Sequence, residues 1–183
     1  MKKISNAFLL LIFCATISAA QVGDSFPELT AETVENKKVT IPDDTKGKFT
    51  LVGLAYSKKS EEDLNTWFTP VYNKFVRSAD DAGLFADFTY DINVYFVPMF
   101  TGVKAAAQGT AKRQALKELD ESLYPHMLFY KGELKTYKEA LDFEHKDVPY
   151  FFVLDKDGKI IYATSGAFSD KKLGEIEELI DDF

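Results

Sequence analysis

Cysteine is almost absent from this sequence. The chain of 183 residues contains one, Cys14, within an apolar N-terminal stretch that we predict to be removed from the mature protein. A mature chain without cysteine forms no disulfide, has no thiol nucleophile and offers no thiolate ligand to a metal. Disulfide exchange and thiol peroxidase chemistry are therefore excluded on chemical grounds, although an exported protein meets an oxidising compartment.

The N-terminal residues have the segment order of a secretory signal peptide. Lys2 and Lys3 form a basic start, the run from Ala7 to Ile17 is apolar, and Ser18-Ala19-Ala20 supplies small residues for cleavage. We therefore predict a signal peptide over residues 1–20. The apolar run is too short for a comfortable membrane span.

Cleavage before Gln21 would leave residues 21–183, a length that suits one domain with a proper core. Such a protein would be periplasmic or secreted. Lipidation at Cys14 is the alternative, although Phe13 is a poor residue before a lipidated cysteine.

Basic residues are outnumbered by acidic ones. The chain has 22 Lys and Arg against 29 Asp and Glu, a formal net charge of −7. The predicted signal peptide carries Lys2 and Lys3 and no acidic residue, so its removal takes the charge to −9. An acidic protein repels phosphates and anionic lipids, and we expect no nucleic acid as a partner.

Metal-binding patterns are also missing. His126 and His145 are the only histidines, and neither belongs to a Glu-x-x-His pattern, so we predict no metal and no cofactor. The stretch Asp155-x-Asp157-Gly158 resembles the opening of a calcium loop but lacks the later ligands. An Asp-Gly hairpin turn is the better interpretation.

A strand, a turn and a helix form the central part of the chain. Phe49 to Ala55 is nearly all apolar, β-branched or glycine, which predicts a strand buried on both faces. Ser60 and Asp63 have the spacing of a capping box, with Ser60 as the N-cap. Apolar residues then recur at helical spacing as far as Phe75. Pro70 is predicted to kink this helix, or alternatively to split it in two.

The remaining pattern predicts one α/β domain without repeats. Residues 21–29 suit an irregular lead-in. We predict strands at Lys37–Pro42, Ile92–Phe100, Met127–Tyr130, Val148–Leu154 and Lys159–Ala163. Helices are predicted at Thr110–Leu123, around Leu134–Leu141, and from Ser169 or Asp170 to the C-terminal end.

Four stretches resemble known domains. Val22–Pro27 resembles the lead-in of peroxiredoxin-like and periplasmic thioredoxin-like domains, and Gly47–Val52 resembles their first core strand. Trp67 and Pro70 resemble the kinked helix after the active turn, and Val148–Ile161 resembles the cis-proline loop and closing hairpin. A looser resemblance, based on a strand followed by a Trp-x-x-Pro helix, is to the thioredoxin-like assembly factors of mitochondrial ATP synthase.

This resemblance implies a thioredoxin-like fold, a central mixed β-sheet flanked by helices. It also implies that the Val148–Pro149 bond is cis and that Pro149 faces the Tyr56–Ser60 turn. Redox members of the superfamily have at least one cysteine in that turn, at a helix N-terminus that lowers its pKa. Serines and lysines occupy the turn here, so the resemblance extends to the fold and not to redox chemistry.

The candidate site is a shallow groove between the turn and the proline loop. Its residues are Tyr56, Ser57, Lys58, Lys59, Ser60, Val148, Pro149 and Tyr150, with Phe168 as a further aromatic residue nearby. An extended peptide could dock beside the proline backbone. Each part also has a structural alternative: the serines as turn residue and N-cap, the lysines as solvated or anion-holding groups, and the aromatic residues as core.

We interpret the chain as an exported, non-catalytic thioredoxin-like protein. It would bind an envelope protein or peptide, as a docking or assembly module without thiol redox activity. Two alternatives remain open: a redox-independent enzyme or accessory to a thiol-disulfide oxidoreductase, and a structural envelope domain. An exposed apolar patch would favour docking, and a strongly shifted pKa in the groove would favour an enzyme.

Overall fold

Seven strands form one mixed sheet in the computed structural model, which describes residues 22–77 and 90–181. The spatial order of the strands is β2-β1-β5-β4-β3-β6-β7. Their bounds are β1 Leu29–Thr33, β2 Lys38–Ile41, β3 Phe49–Ala55, β4 Ile92–Thr101, β5 Leu128–Gly132, β6 Tyr150–Leu154 and β7 Ile160–Ser165. The predicted central mixed sheet is confirmed.

The middle of the sheet is built on β3. This strand pairs in parallel with β4 and antiparallel with β6, and every one of its residues is buried. Gly53 faces Phe151 in the β3–β6 register, and a Cβ there would lie 2.4 Å from the Phe151 ring. Glycine is therefore required where the ring crosses the strand.

Helices cover both faces of the sheet. They are α1 Lys58–Asn65, α2 Phe68–Val71, α3 Gln108–Glu118, α4 Lys135–Ala140 and α5 Asp170–Asp181. One buried cluster includes Trp67 and Ile176 and so lies under α1, α2 and α5; the other includes Tyr137 and Leu141 and lies on the α4 side. Within the described ranges, no helix is both long enough and apolar enough to cross a membrane.

The helix after the turn breaks earlier than the sequence predicted. Thr66 N–H donates to the Asp63 carbonyl at 3.2 Å, and Trp67 N–H donates to the Leu64 carbonyl at 3.0 Å. These tighter bonds end α1, and Pro70 then falls in the first turn of α2, where a missing N–H costs little. The alternative of two helices is therefore confirmed, but the split lies at Thr66–Trp67 and not at Pro70, and Pro70 does not interrupt a helix interior.

Trp67 fixes the position of this break. Its side chain is completely buried, its ring stacks on Phe151 at 4.0 Å, and its Nε1–H donates to the Gly166 carbonyl at 3.0 Å. A buried indole normally has such a partner. The tryptophan of the Trp-x-x-Pro motif thus links the helix break to the loop after β7.

The remaining secondary-structure predictions are partly confirmed. The edge strand, the Asp-Gly hairpin and the C-terminal helix are confirmed. The predicted helix over Thr110–Leu123 is too long, since Asp120 accepts from Ser122 N–H at 2.9 Å and starts a separate 3₁₀ segment over Glu121–His126. Strand β1 was not predicted. Residues 1–20, the predicted signal peptide, lie outside the described residues.

Candidate functional site

The turn between β3 and α1 contains two serines that bond to each other. Ser57 is the N-cap, and its Oγ accepts from the Ser60 N–H at 3.0 Å. In return the Ser60 Oγ accepts from the Ser57 N–H at 2.9 Å. The predicted capping box with Ser60 as N-cap is therefore wrong by three positions, because Ser57 and Ser60 both have hydroxyls suited to capping.

Ser60 has little remaining capacity for chemistry. Its side chain is completely buried, accepts a second backbone bond from Tyr56 N–H at 3.1 Å, and donates to the Ser57 carbonyl at 3.0 Å. The two hydroxyl oxygens lie 3.2 Å apart. A serine nucleophile needs a neighbouring base, whereas the bonds described for these hydroxyls all lie within residues 56–60. The geometry therefore supports a structural role for both serines, in the turn and at the start of α1, and not a role as nucleophiles.

The predicted aromatic walls of the groove are buried. Tyr56 and Tyr150 are 6% and 8% exposed, and the Phe143 ring lies between them, with centroids 5.4 Å from Tyr56 and 4.5 Å from Tyr150. Burial raises the pKa of Tyr56 to about 12, with smaller contributions from Tyr150 and Asp147. Phe143 therefore fills the space in which a groove between the two tyrosines was expected.

Pro149 does not have the predicted cis bond. The cis X-Pro bond among the described residues joins Ile41 to Pro42. The Pro149 carbonyl instead accepts from Gly166 N–H at 2.8 Å, which extends the β6–β7 ladder by one pair. Phe168 belongs to the cluster on the opposite face of the sheet, where its ring meets Trp67 at 5.6 Å, so it is not near Tyr56.

Two lysines are the exposed part of the turn. Lys58 and Lys59 both face solvent, and Val148 is half-buried. Lys59 Nζ lies 2.8 Å from Asp63 Oδ1, and this hydrogen bond raises the pKa of the lysine. Of the eight predicted site residues, these three are the ones that a partner could reach directly.

The two histidines differ in their surroundings. His126 Nδ1 is 2.9 Å from the Val94 carbonyl, and burial lowers the pKa of its ring. His145 is exposed, on the loop before β6. Over residues 22–77 and 90–181, no group of three or more potential ligands could hold a metal ion.

A cleft on the other side of α1 was not predicted. It has a volume of about 230 Å³ and lies between α1–α2 and α3. We call it the α1–α3 cleft. Its lining is mostly apolar and consists of Glu61, Leu64, Asn65, Phe68, Pro98, Phe100, Ala111, Gln114, Ala115, Glu118, Leu119, Met127 and Phe129.

Small residues on α3 create this cleft. Ala111 and Ala115 are one helical turn apart and therefore share a face. Both line the cleft opposite Phe68, and neither side chain is large enough to fill the space. The only signal in the sequence is this pair of alanines in a helix of low apolar content, and it does not reveal which element they face.

Glu61 is a charged residue in the apolar lining. It lies in the first turn of α1, and no hydrogen bond or ion pair to its carboxylate is found among the described residues. Burial raises the pKa of this carboxyl, and the charge of Lys104 offsets part of that effect. A lone carboxylate can bind a cation, but acid–base catalysis would require a reacting group within hydrogen-bond reach.

Solved structures similar to this chain have the same architecture. A thiol:disulfide interchange protein from a Bacteroides species superposes with a TM-score of 0.56 at 18% identity, covering 87% of this chain and 90% of that one. The thioredoxin domain of a thiol-disulfide oxidoreductase from Bacteroides vulgatus gives 0.54 at 19% identity, with 87% and 97% covered. BsSco, a member of the Sco family of cytochrome c oxidase assembly proteins, gives 0.55 at 12% identity, with 86% and 94% covered.

At these identities the likeness establishes the fold alone, which is thioredoxin-like, and the turn after β3 contains Ser57 and Ser60 and no cysteine. The family is narrower. Residues 12–180 match the model of the ATP10 protein family, so the chain belongs to that family. The looser resemblance, based on the Trp-x-x-Pro helix, agrees with this assignment. No curated protein matches the sequence significantly.

Proposed function

We propose that this chain is a thiol-independent assembly factor of the cell envelope that acts by binding another protein. Membership of the ATP10 family and the fold shared with a cytochrome oxidase assembly protein support an assembly role. The predicted signal peptide supports an envelope location. Fold alone does not determine function. The structure of the turn between β3 and α1 supplies further support for a binding role without thiol chemistry.

The observation that carries the proposal is the closed state of the Ser57–Ser60 pair. Each hydroxyl bonds to the backbone of the other serine, and both side chains are buried. The position that holds a reactive thiol in redox members is used here to stabilise the start of α1. A protein that keeps the fold without its chemistry still presents surfaces around the turn, and binding requires no thiol.

The exposed residues of the predicted site would form part of the binding surface. Lys58 and Lys59 are exposed in the first turn of α1 and are available for polar contacts, and half-buried Val148 offers an apolar one. Tyr56, Ser57, Ser60, Pro149 and Tyr150 would support that surface from beneath, since all five are buried.

The test is carried out in cells of the source organism. A strain lacking the protein is complemented with a tagged full-length chain carrying a photo-crosslinking residue at Lys58, and with a second chain carrying it at Lys135, an exposed residue of α4. We expect a stoichiometric complex with one defined envelope subunit at Lys58, and lower accumulation of the assembly containing that subunit in the deletion strain. Unchanged accumulation of every envelope complex, together with no stoichiometric partner, would overturn the proposal.

A further inference from the structure

The α1–α3 cleft has apolar walls on three sides. Leu64 and Phe68 come from α1 and α2, Phe100 comes from the end of β4 and Phe129 from the start of β5, and α3 forms the third side. At about 230 Å³, the cleft is smaller than the about 300 Å³ at which small-molecule sites typically begin. Side chains of a partner suit this volume better than a cofactor does.

The charge of the lining selects among partners. Two carboxylates, from Glu61 and Glu118, and two amides, from Asn65 and Gln114, line the cleft together with the apolar residues, and the lining contains no cation. Glu118 accepts from the Gln114 amide at 3.1 Å, whereas Glu61 has no such bond within the described part of the chain. A partly buried carboxylate without a partner is costly, and an incoming cation would relieve that cost.

The position of the cleft also favours binding. It opens at the carboxyl ends of the parallel strands β3 and β4, where Ala55 is paired with Pro98, and α/β proteins bind ligands at this edge. Val103 lies on the 3₁₀ segment that follows β4 and is 97% exposed. Its neighbour Lys104 is close enough for its charge to act on Glu61.

We propose that the α1–α3 cleft docks a short basic amphipathic segment of a partner protein. Its apolar side chains would fill the space beside Ala111 and Ala115, and a lysine or arginine would pair with Glu61. This inference rests on the proposed protein-binding function and specifies the apolar and charged contacts that would hold the partner. The acidic lining disfavours anionic lipid as an occupant, and it disfavours a second copy of this acidic chain.

The test uses the mature full-length protein and three fluorescent peptides, with binding measured by anisotropy. The first peptide is amphipathic, with leucines on one helical face and lysines beside them. The second has glutamates in place of the lysines, and the third is a scrambled form of the first. We expect saturable binding of the first peptide and weak binding of the other two, since both the charge and the apolar face are required.

Matched variants locate the binding. Glu61→Lys and Glu62→Lys make the same charge change in neighbouring residues, but only Glu61 lines the cleft. Ala115→Phe fills the cleft, whereas Lys117→Phe places the same ring on the exposed face of α3. We expect Glu61→Lys and Ala115→Phe each to weaken binding by at least about tenfold and the two controls by less than about twofold. Thermal unfolding shows whether each variant is folded.

Equal weakening by Glu61→Lys and Glu62→Lys would mean general charge attraction and would overturn the inference. So would binding that survives Ala115→Phe in a folded protein, or no binding to the unaltered protein at millimolar peptide. The two proposals can fail separately. If the cellular complex forms and survives Glu61→Lys and Ala115→Phe, the cleft inference fails and the assembly role stands. If no cellular complex forms and every envelope complex accumulates unchanged, the assembly role fails regardless of the peptides.

Discussion

The turn and the α1–α3 cleft lie on two sides of the same helix and differ in how their polar groups are satisfied. In the turn, Ser57 and Ser60 bond to each other's backbone and are buried. In the cleft, Glu61 directly follows Ser60 and has no bond of this kind among the described residues. A polar group already paired within the fold is unavailable to a partner, so the two serines of the turn are poor binding groups and the carboxylate of Glu61 is a better one.

The same contrast applies to apolar surface. Beneath the turn, Phe143 occupies the space between Tyr56 and Tyr150. In the cleft, Ala111 and Ala115 leave the space in front of Phe68 open. A large side chain closes one region and two small ones open the other.

Trp67 supports both regions, and its removal should have the largest effect. Trp67→Ala would lose the stack on Phe151, the bond to the Gly166 carbonyl and a completely buried ring. We expect the free energy of unfolding to fall by about 3–5 kcal/mol. Denaturant titration measures this loss. Trp67→Phe keeps an aromatic ring and should lose clearly less; an equal loss would show that the Nε1–H bond, and not packing, carries the effect.

In the turn, Ser60 should matter more than Ser57. Ser60→Ala would leave the N–H groups of Tyr56 and Ser57 unpaired and buried, which we expect to cost about 2–3 kcal/mol in unfolding free energy. Ser57→Ala removes one cap bond and should cost about 1 kcal/mol. Both values come from denaturant titration. The reverse order would mean that the turn does not depend on the closed serine pair.

How much of this could be predicted from the sequence depends on whether the signal is local. Strand β3 was predicted because seven consecutive apolar or small residues indicate burial on both faces. The N-cap was placed at the wrong serine, because a hydroxyl at either position satisfies the same spacing. The burial of Tyr56 and Tyr150 could not be predicted for a different reason: Phe143 lies far from Tyr56 in the sequence, and no local pattern indicates that it packs between the two tyrosines. The cleft could not be predicted either, because no local pattern indicates which strand ends α3 packs against.

On the outer side of the cleft, α3 is held by a buried lysine. Lys112 Nζ lies 2.6 Å from Glu32 Oε2 and 3.1 Å from Asn36 Oδ1, and its side chain is only 9% exposed. Glu32→Gln should therefore lower the unfolding free energy by about 1 kcal/mol at neutral pH, since the Glu32 carboxylate is itself partly exposed. Asp91→Asn, which breaks the exposed pair with Lys48, is the control and should have a smaller effect.

This pair also predicts a pH dependence of stability. The hydrogen bond from Lys112 lowers the pKa of Glu32 below 4.5 in the folded protein. A lowered pKa contributes stability above 4.5 that is lost as the pH falls through the folded value. The difference between the unaltered protein and Glu32→Gln should therefore shrink on acidification, as measured by unfolding at several pH values. A constant difference would assign the effect to packing of the lysine and not to the charge pair.

Glu61 should show the smallest effect and the opposite sign. Burial raises the pKa of this carboxyl above 4.5, and the charge of Lys104 offsets part of that effect. A raised pKa contributes stability below 4.5 that is lost as the pH rises through the folded value. Glu61→Gln should therefore be more stable than the unaltered protein at neutral pH, by up to about 0.5 kcal/mol, and this advantage should disappear on acidification.

Glu62→Gln is the matched control for this effect. Glu62 is exposed in the same helical turn and does not line the cleft, so its replacement should give no gain at neutral pH. Unfolding of both variants across the same pH range compares them directly. If Glu61→Gln were instead less stable than the unaltered protein, Glu61 would already be favourably paired within the fold. The cleft would then resemble the turn, and its carboxylate would have no reason to recruit a cation from a partner.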